Sequence, residues 1–237
     1  MMRYFVTGGA GFIGSHLTDR LLKEGHKVVV YDNFSTGREA FLSDAKKSSD
    51  FTLIRGDLLD SEKLIRSLQR CDFVFHMAAH SDVRHGTEHP RKDLEQNTIA
   101  TFHVLEAMRK NGVTKIAFPS TGSIYGEPEI FPTPETVSFP IQTSFYGASK
   151  LACEGLIEAY SEGFGFHAWI FRFVSILGER YTHGHVYDFY MQLLEHAKEL
   201  RVLGDGRQKK SYLDVHDCID AMLVAIQKAK DKVNLFN

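Results

Sequence analysis

A short β-prone run, Arg3–Thr7, passes directly into Gly8-Gly9-Ala10-Gly11-Phe12-Ile13-Gly14 and then into a segment with helical apolar spacing that continues to Lys23. A strand, a turn of spaced glycines and a helix in that order leave few alternatives to a βα turn built to carry a phosphate. The glycines let the chain bend tightly, let the backbone approach a pyrophosphate, and let the helix close on its strand. The helix N-terminus adds unpaired amides and the positive end of its dipole. A glycine turn alone would be an ordinary turn, but its strand–turn–helix context favours a dinucleotide site at Gly8, Gly11, Phe12, Ile13 and Gly14.

The remaining chain repeats the alternation. Strands are expected near Lys27–Tyr31, Phe51–Arg55, Phe73–His76, Lys115–Pro119 and His167–Phe171. Helical periodicity falls near Phe12–Lys23, Ser61–Leu68, Arg91–Lys110 and Phe145–Glu162. In Arg91–Lys110 the apolar face is traced by Leu94, Thr98, Thr101, Leu105 and Met108. Such βαβ units predict an α/β fold, a Rossmann-type doubly wound parallel sheet. A length of 237 residues suits one large domain.

After Phe171 the alternation loosens, with helices expected near Tyr187–His196 and Val215–Lys228 around a Gly204–Gly206 turn. This divides the chain into a cofactor domain, 1–172, and a smaller substrate lobe, 173–237, intertwined with it. The closing run Val233–Asn237 is strand-like with nothing after it to cover it, which predicts missing C-terminal residues.

Asp32 ends the second expected strand, where an acid can hydrogen-bond the adenosine ribose and repel a 2′-phosphate. The cofactor is therefore expected to be NAD, with Arg38 nearby able to soften that preference. Asp57, after the third strand, reads equally as an adenine-side contact or as a helix cap. Tyr146 and Lys150 stand four apart at the start of a helix and so share one face. An ammonium and a cationic nicotinamide both favour a phenolate, which can exchange a proton with a substrate hydroxyl.

Together with Tyr31-Asp32-Asn33, Gly56-Asp57-Leu58, His76-Met77-Ala78-Ala79-His80, Asn97 and Ser120-Thr121-Gly122-Ser123-Ile124-Tyr125-Gly126, these motifs make the chain resemble the extended short-chain dehydrogenases/reductases of the NAD-dependent epimerase/dehydratase family. The resemblance spans essentially the whole chain. It implies that Asn33, Asp57, Leu58, Ala78, Ala79, His80 and Phe173 lie along the cofactor, with Asn97 as a support. It makes Tyr146, Lys150 and Thr121 catalytic, Thr121 orienting the sugar oxygen toward Tyr146. Ser120 and Ser123 could share that work but read better as strand-end polar residues.

The family's 4,6-dehydratases carry an Asp-Glu pair after the catalytic hydroxyl residue, whereas Gly122-Ser123 stands here. The implied reaction is therefore epimerisation at the 4-position of a nucleotide-diphosphate sugar, first of all UDP-glucose/UDP-galactose. Alternatives are a UDP-glucuronate or UDP-N-acetylhexosamine 4-epimerase, a nucleotide-sugar reductase, and a non-catalytic NAD-binding sensor. On the substrate side the resemblance implicates Thr121, Ser123, Tyr146, Ser175, Arg207 and Lys210. Ser175 replaces the family's usual asparagine. Lys210 stands where an arginine commonly meets the diphosphate and lacks its bidentate fork. Arg207 could compensate, or be an exposed basic turn.

A near-balanced formal charge of −2 disfavours nucleic acid as a partner. Cys71, Cys153 and Cys218 have neither disulfide-framework nor metal spacing. His183 and His185 lack a third ligand in sequence and read better as a loop lining the sugar pocket, and His76, His80, His85 and His89 are scattered, so no metal site is expected. The sequence shows neither a signal-peptide order nor a membrane-length apolar run, and a cytoplasmic protein is expected. The resemblance implies a homodimer through Arg91–Lys110 and Phe145–Glu162, whose apolar faces would also fit burial against the sheet.

Overall fold

The computed structural model describes residues 1–81, 86–138, 141–202 and 204–237; His85 lies outside them. Its main sheet is parallel, in the order β3-β2-β1-β4-β5-β6-β9. The strands are β1 (Arg3–Thr7), β2 (Lys27–Asp32), β3 (Phe51–Arg55), β4 (Phe73–His76), β5 (Lys115–Thr121), β6 (His167–Phe173) and β9 (Val233–Phe236). A second sheet pairs β7 (Ser175–Leu177) with β8 (Tyr212–Asp214), also in parallel. The helices are α1 (Phe12–Lys23), α2 (Ser61–Ser67), α3 (Pro90–Asp93), α4 (Ala100–Asn111), α5 (Phe145–Phe164), α6 (His185–Glu195) and α7 (Val215–Lys228).

Continuous apolar runs build this sheet because both its faces are covered. Along β2, Val28, Val29 and Val30 are all buried, and alternation sends Val29 to one core and its two neighbours to the other. One core joins Phe5, Val74, Ile116 and Ile170 to Val104, Leu105, Cys153 and Ile157 of α4 and α5. The other joins Val6, Phe75 and Trp169 to Leu17 and Leu21 of α1 and Ile219 and Met222 of α7. Strand order reverses between β1 and β4, and a crevice opens at the carboxyl ends of the strands there, as the topology dictates.

Three departures from the sequence reading have physical causes. Leu94–Ile99 forms a π-helical turn between α3 and α4, so the expected face slips by one residue. Leu94 is 52% exposed, while Asp93 and Asn97 are buried in its place. The strands β7 and β8 are three residues each, too short to show a period. Finally, the closing run pairs on one side only and forms the edge of the main sheet. β9 pairs with β6 from Ala168↔Val233 to Phe171↔Phe236, and the Phe236 ring stacks on Phe171 at 5.4 Å. Since α7 and β9 rejoin the main sheet, the 173–237 segment is not one block, and β7, α6 and β8 form the part outside it.

Candidate active site

The glycine turn is held open by contacts that side chains would block. Gly8 has φ +65°, its N–H donates to the Tyr31 carbonyl at 2.9 Å, and a Cβ there would stand 2.6 Å from Cα and N of Ala78. A Cβ on Gly14 would come within 2.3 Å of the Gly8 carbonyl oxygen. Gly11 begins α1 without a side-chain cap, which leaves the first-turn amides to a ligand. Asp32 is 7% exposed; its carboxylate accepts from the N–H of Ala10 at 2.9 Å and of Phe34 at 2.7 Å. The acid thus braces the glycine turn as well as facing the crevice, and burial raises its pKa. Asn33 donates to Asp57 at 2.9 Å, and Asp57 also accepts from Leu59 N–H. The cap of α2 is Asp60, which resolves the capping alternative for Asp57.

Below the crevice, His76 is 1% exposed and lies 2.8 Å from Thr7 Oγ1 and 2.9 Å from Thr101 Oγ1. Burial, with Lys150 nearby, drives its pKa down to about 3, so the ring is a neutral strut. Thr7 Oγ1 in turn accepts from Ala78 N–H at 3.2 Å, fixing the strand end that faces Gly8. Asn97 brackets His80 through both main-chain groups, and His80 Nδ1 lies 3.0 Å from Asp93 Oδ1.

The helix α5 is capped by Ser144, whose hydroxyl accepts from Gly147 N–H at 3.0 Å, and it projects Tyr146 and Lys150 into the crevice. It is tied to β6 by the buried pair Arg172–Glu154 at 2.9 Å, both side chains being 2% exposed. Burial pushes the Tyr146 phenol up to about 12, against a hydrogen bond from Thr121 that lowers it. Burial brings Lys150 down to about 8, and its ammonium lies 3.8 Å from the centroid of the Phe118 ring. The ammonium and a cationic nicotinamide together are expected to favour a phenolate; in the protein without that cofactor, burial leaves Tyr146 a protonated phenol at neutral pH.

The crevice measures about 1100 Å³, more than the ~300–1,000 Å³ of one small-molecule site. Among the expected residues, Gly8, Gly11, Phe12, Ile13, Gly14, Asp32, Asn33, Asp57, Leu58, Ala78, Ala79, His80, Thr121, Tyr146, Lys150, Phe173 and Ser175 line it. Asn97 and Ser123 do not; Ser123 instead gives its N–H to Thr121 Oγ1 at 3.1 Å. Arg207 and Lys210 are exposed and outside the lining. The lining also holds Gln96 and Tyr181, which no sequence motif marks, together with Ser120 and with the His183–His185 loop, the latter expected from the sequence to line the sugar pocket. Ser120 was read as a strand-end polar residue, yet its buried Oγ has no hydrogen-bond partner among the described residues. Only its place within the Ser120–Gly126 motif signalled it.

A dinucleotide-type crevice with a Tyr/Lys pair at its floor defines a short-chain dehydrogenase-like class of protein. The family model for the NAD dependent epimerase/dehydratase family matches residues 4–237, and the chain belongs to that family. A UDP-glucose 4-epimerase of Mycolicibacterium smegmatis is 34% identical over 230 residues, covering 94% of this chain and 73% of that protein. Among solved structures, a UDP-galactose 4-epimerase superposes with TM-score 0.88 at 38% identity, covering 99% of this chain and 76% of that one. UDP-glucuronic acid 4-epimerase from Bacillus cereus, a mutant solved with UDP-4-deoxy-4-fluoro-glucuronic acid and NAD, superposes with TM-score 0.90 at 30% identity, covering 99% and 76%. The chain thus spans about three-quarters of these relatives.

The protein is an enzyme of an NAD-dependent family that acts on nucleotide sugars. Its residues fit that cofactor: the uncapped α1 amides and the Gly8–Ala78 approach would take the pyrophosphate, and Asp32 the ribose. No helix among the described residues is long and apolar enough to cross a membrane.

Proposed function

We propose that the protein interconverts UDP-glucose and UDP-galactose by epimerisation at C4 through a transient 4-keto sugar. The observation that carries this reading is the meeting of Thr121 and Tyr146 over Lys150 in the crevice, with Gly122-Ser123 in place of a dehydratase acid/base pair. NAD, held by the glycine turn and Asp32, would supply hydride exchange and, when oxidised, a positive charge. The chain's own part is proton traffic and positioning. Thr121 Oγ1 orients the sugar oxygen, and Tyr146 Oη takes the hydroxyl proton and later returns it. Lys150, buried against Phe118, supplies the positive charge that stabilises the phenolate when it forms.

The test is incubation with UDP-galactose and no added cofactor, following UDP-glucose by chromatography, with Tyr146→Phe as control. Conversion abolished by the substitution supports the proposal. No conversion by protein that retains NAD overturns it. UDP-glucuronate is the second substrate to assay, because the Bacillus cereus neighbour is named for it. Net NADH consumption would mark a reductase instead. We also propose a homodimer through α4 and α5, which leave Phe102 and Phe145 43% and 50% exposed.

A further inference from the structure

Away from the crevice, three metal-binding side chains from distant parts of the chain meet. His16 lies on α1, Glu179 follows β7, and His216 is in the first turn of α7. Their ligand atoms all lie within 4.8 Å of one another. His216 Nε2 stands 3.2 Å from Glu179 Oε2, close to the ~3.3 Å that separates two ligands bonded at ~2.0–2.1 Å to one tetrahedral ion. The His16 and His216 rings meet edge to face at 5.0 Å between centroids. A cavity of about 400 Å³ opens beside them.

The cations lining that cavity are Arg20, Lys23 and Arg180; Arg180 holds Asp19 at 2.8 Å, and Arg20 holds Glu24 and Asp220. Among them the Glu179 carboxylate and the two imidazoles face one another. Two histidines and one glutamate are a donor set that binds zinc with a position left for water. Imidazole with carboxylate selects borderline divalent transition metals over calcium or magnesium. His16 Nε2 also lies 2.9 Å from the Glu179 carbonyl, the kind of main-chain contact that orients a ligating ring.

We propose that His16, Glu179 and His216 form a binding site for one divalent transition-metal ion, zinc foremost, distinct from the catalytic crevice. Its three ligands join the cofactor-binding helix α1 to the β7 end of the lobe and to α7. A bound ion would therefore staple the two sides of the molecule and raise its stability by mass action.

Glu179→Gln and His216→Asn test the site, since these side chains are 73% and 59% exposed and neither lines the crevice. Tag-free protein is titrated with Co²⁺, read by visible absorption, and with Zn²⁺, read by thermal unfolding. One Co²⁺ per chain with the strong band of a low-coordinate site, weakened at least about tenfold in affinity by either substitution, is the expected result. Absence of saturable binding, or equal affinity in both variants and the unsubstituted protein, overturns it.

Discussion

Asn97 holds both main-chain groups of His80: its Oδ1 accepts from the His80 N–H at 2.8 Å and its Nδ2 donates to the His80 carbonyl at 3.0 Å. The same Nδ2 lies 2.9 Å from Ser149 Oγ, whose hydroxyl donates to the Tyr146 carbonyl at 2.8 Å. One buried amide therefore ties the crevice-facing end of β4 to the helix that carries the phenol. Asn97→Ala would orphan several buried polar groups at once. We expect a loss of about 2–4 kcal/mol in denaturant unfolding, together with weaker NAD retention. A loss below about 1 kcal/mol would show that water replaces the side chain.

The approach of Gly8 to Ala78 makes a sharper test. At φ +65° and 2.6 Å from main-chain atoms, a Cβ has no flexible neighbour to displace. Gly8→Ala is expected to yield folded protein that copurifies with little or no NAD, measured by absorbance of the heat-released nucleotide. Full NAD content in that variant would mean that β4 can retreat, and that the turn is less constrained than its geometry indicates.

How far the sequence carried this reading depends on the range of each interaction. Val28–Val30 and Phe73–Phe75 were legible because apolar runs declare themselves within a few residues. The expected ends of β5 and β6, at Pro119 and Phe171, fell two residues short. The ladder continues through Ser120↔Arg172 and Thr121↔Phe173, polar residues whose pairing no local pattern announces. That extension is what carries Thr121 to the crevice floor. The π turn at Leu94–Ile99 was hidden because one extra residue changes phase without changing composition. The His16–Glu179–His216 cluster spans 200 positions of chain, so spacing could not disclose it. Arg207 and Lys210 came from resemblance alone, and both stand exposed outside the lining of the crevice.

His76 makes stability depend on pH in a predictable direction. Its folded pKa, about 3, lies below the ordinary 6.5. The stability it contributes is present above 6.5 and lost as pH falls toward 3, because only the unfolded chain takes up the proton. Within that window this one group removes up to about 1.4 kcal/mol per pH unit. His76→Gln should be less stable at pH 7, and its deficit should shrink between pH 6.5 and 4.5 in chemical denaturation. A deficit that stays constant over that range would mean His76 is protonated in the folded protein.

Lys150 supplies the opposite trade between stability and chemistry. Its pKa falls from 10.5 to about 8 on burial, so at neutral pH the folded protein carries a charge it would hold more easily unfolded. The corresponding penalty is about 3 kcal/mol, complete below pH 8, shrinking from 8 to 10.5 and absent above. Lys150→Met keeps the volume, places a thioether on the Phe118 ring and removes the charge. With NAD removed from both proteins, the variant should therefore be the more stable at pH 7, the two converging as pH rises to 10.5, while sugar conversion is lost. Equal stability at pH 7 would show that Glu154 and Cys153, the groups that raise this pKa, or entering water already offset the burial. The lysine would then be a solvated partner of the phenol rather than a charge held in place against its own desolvation.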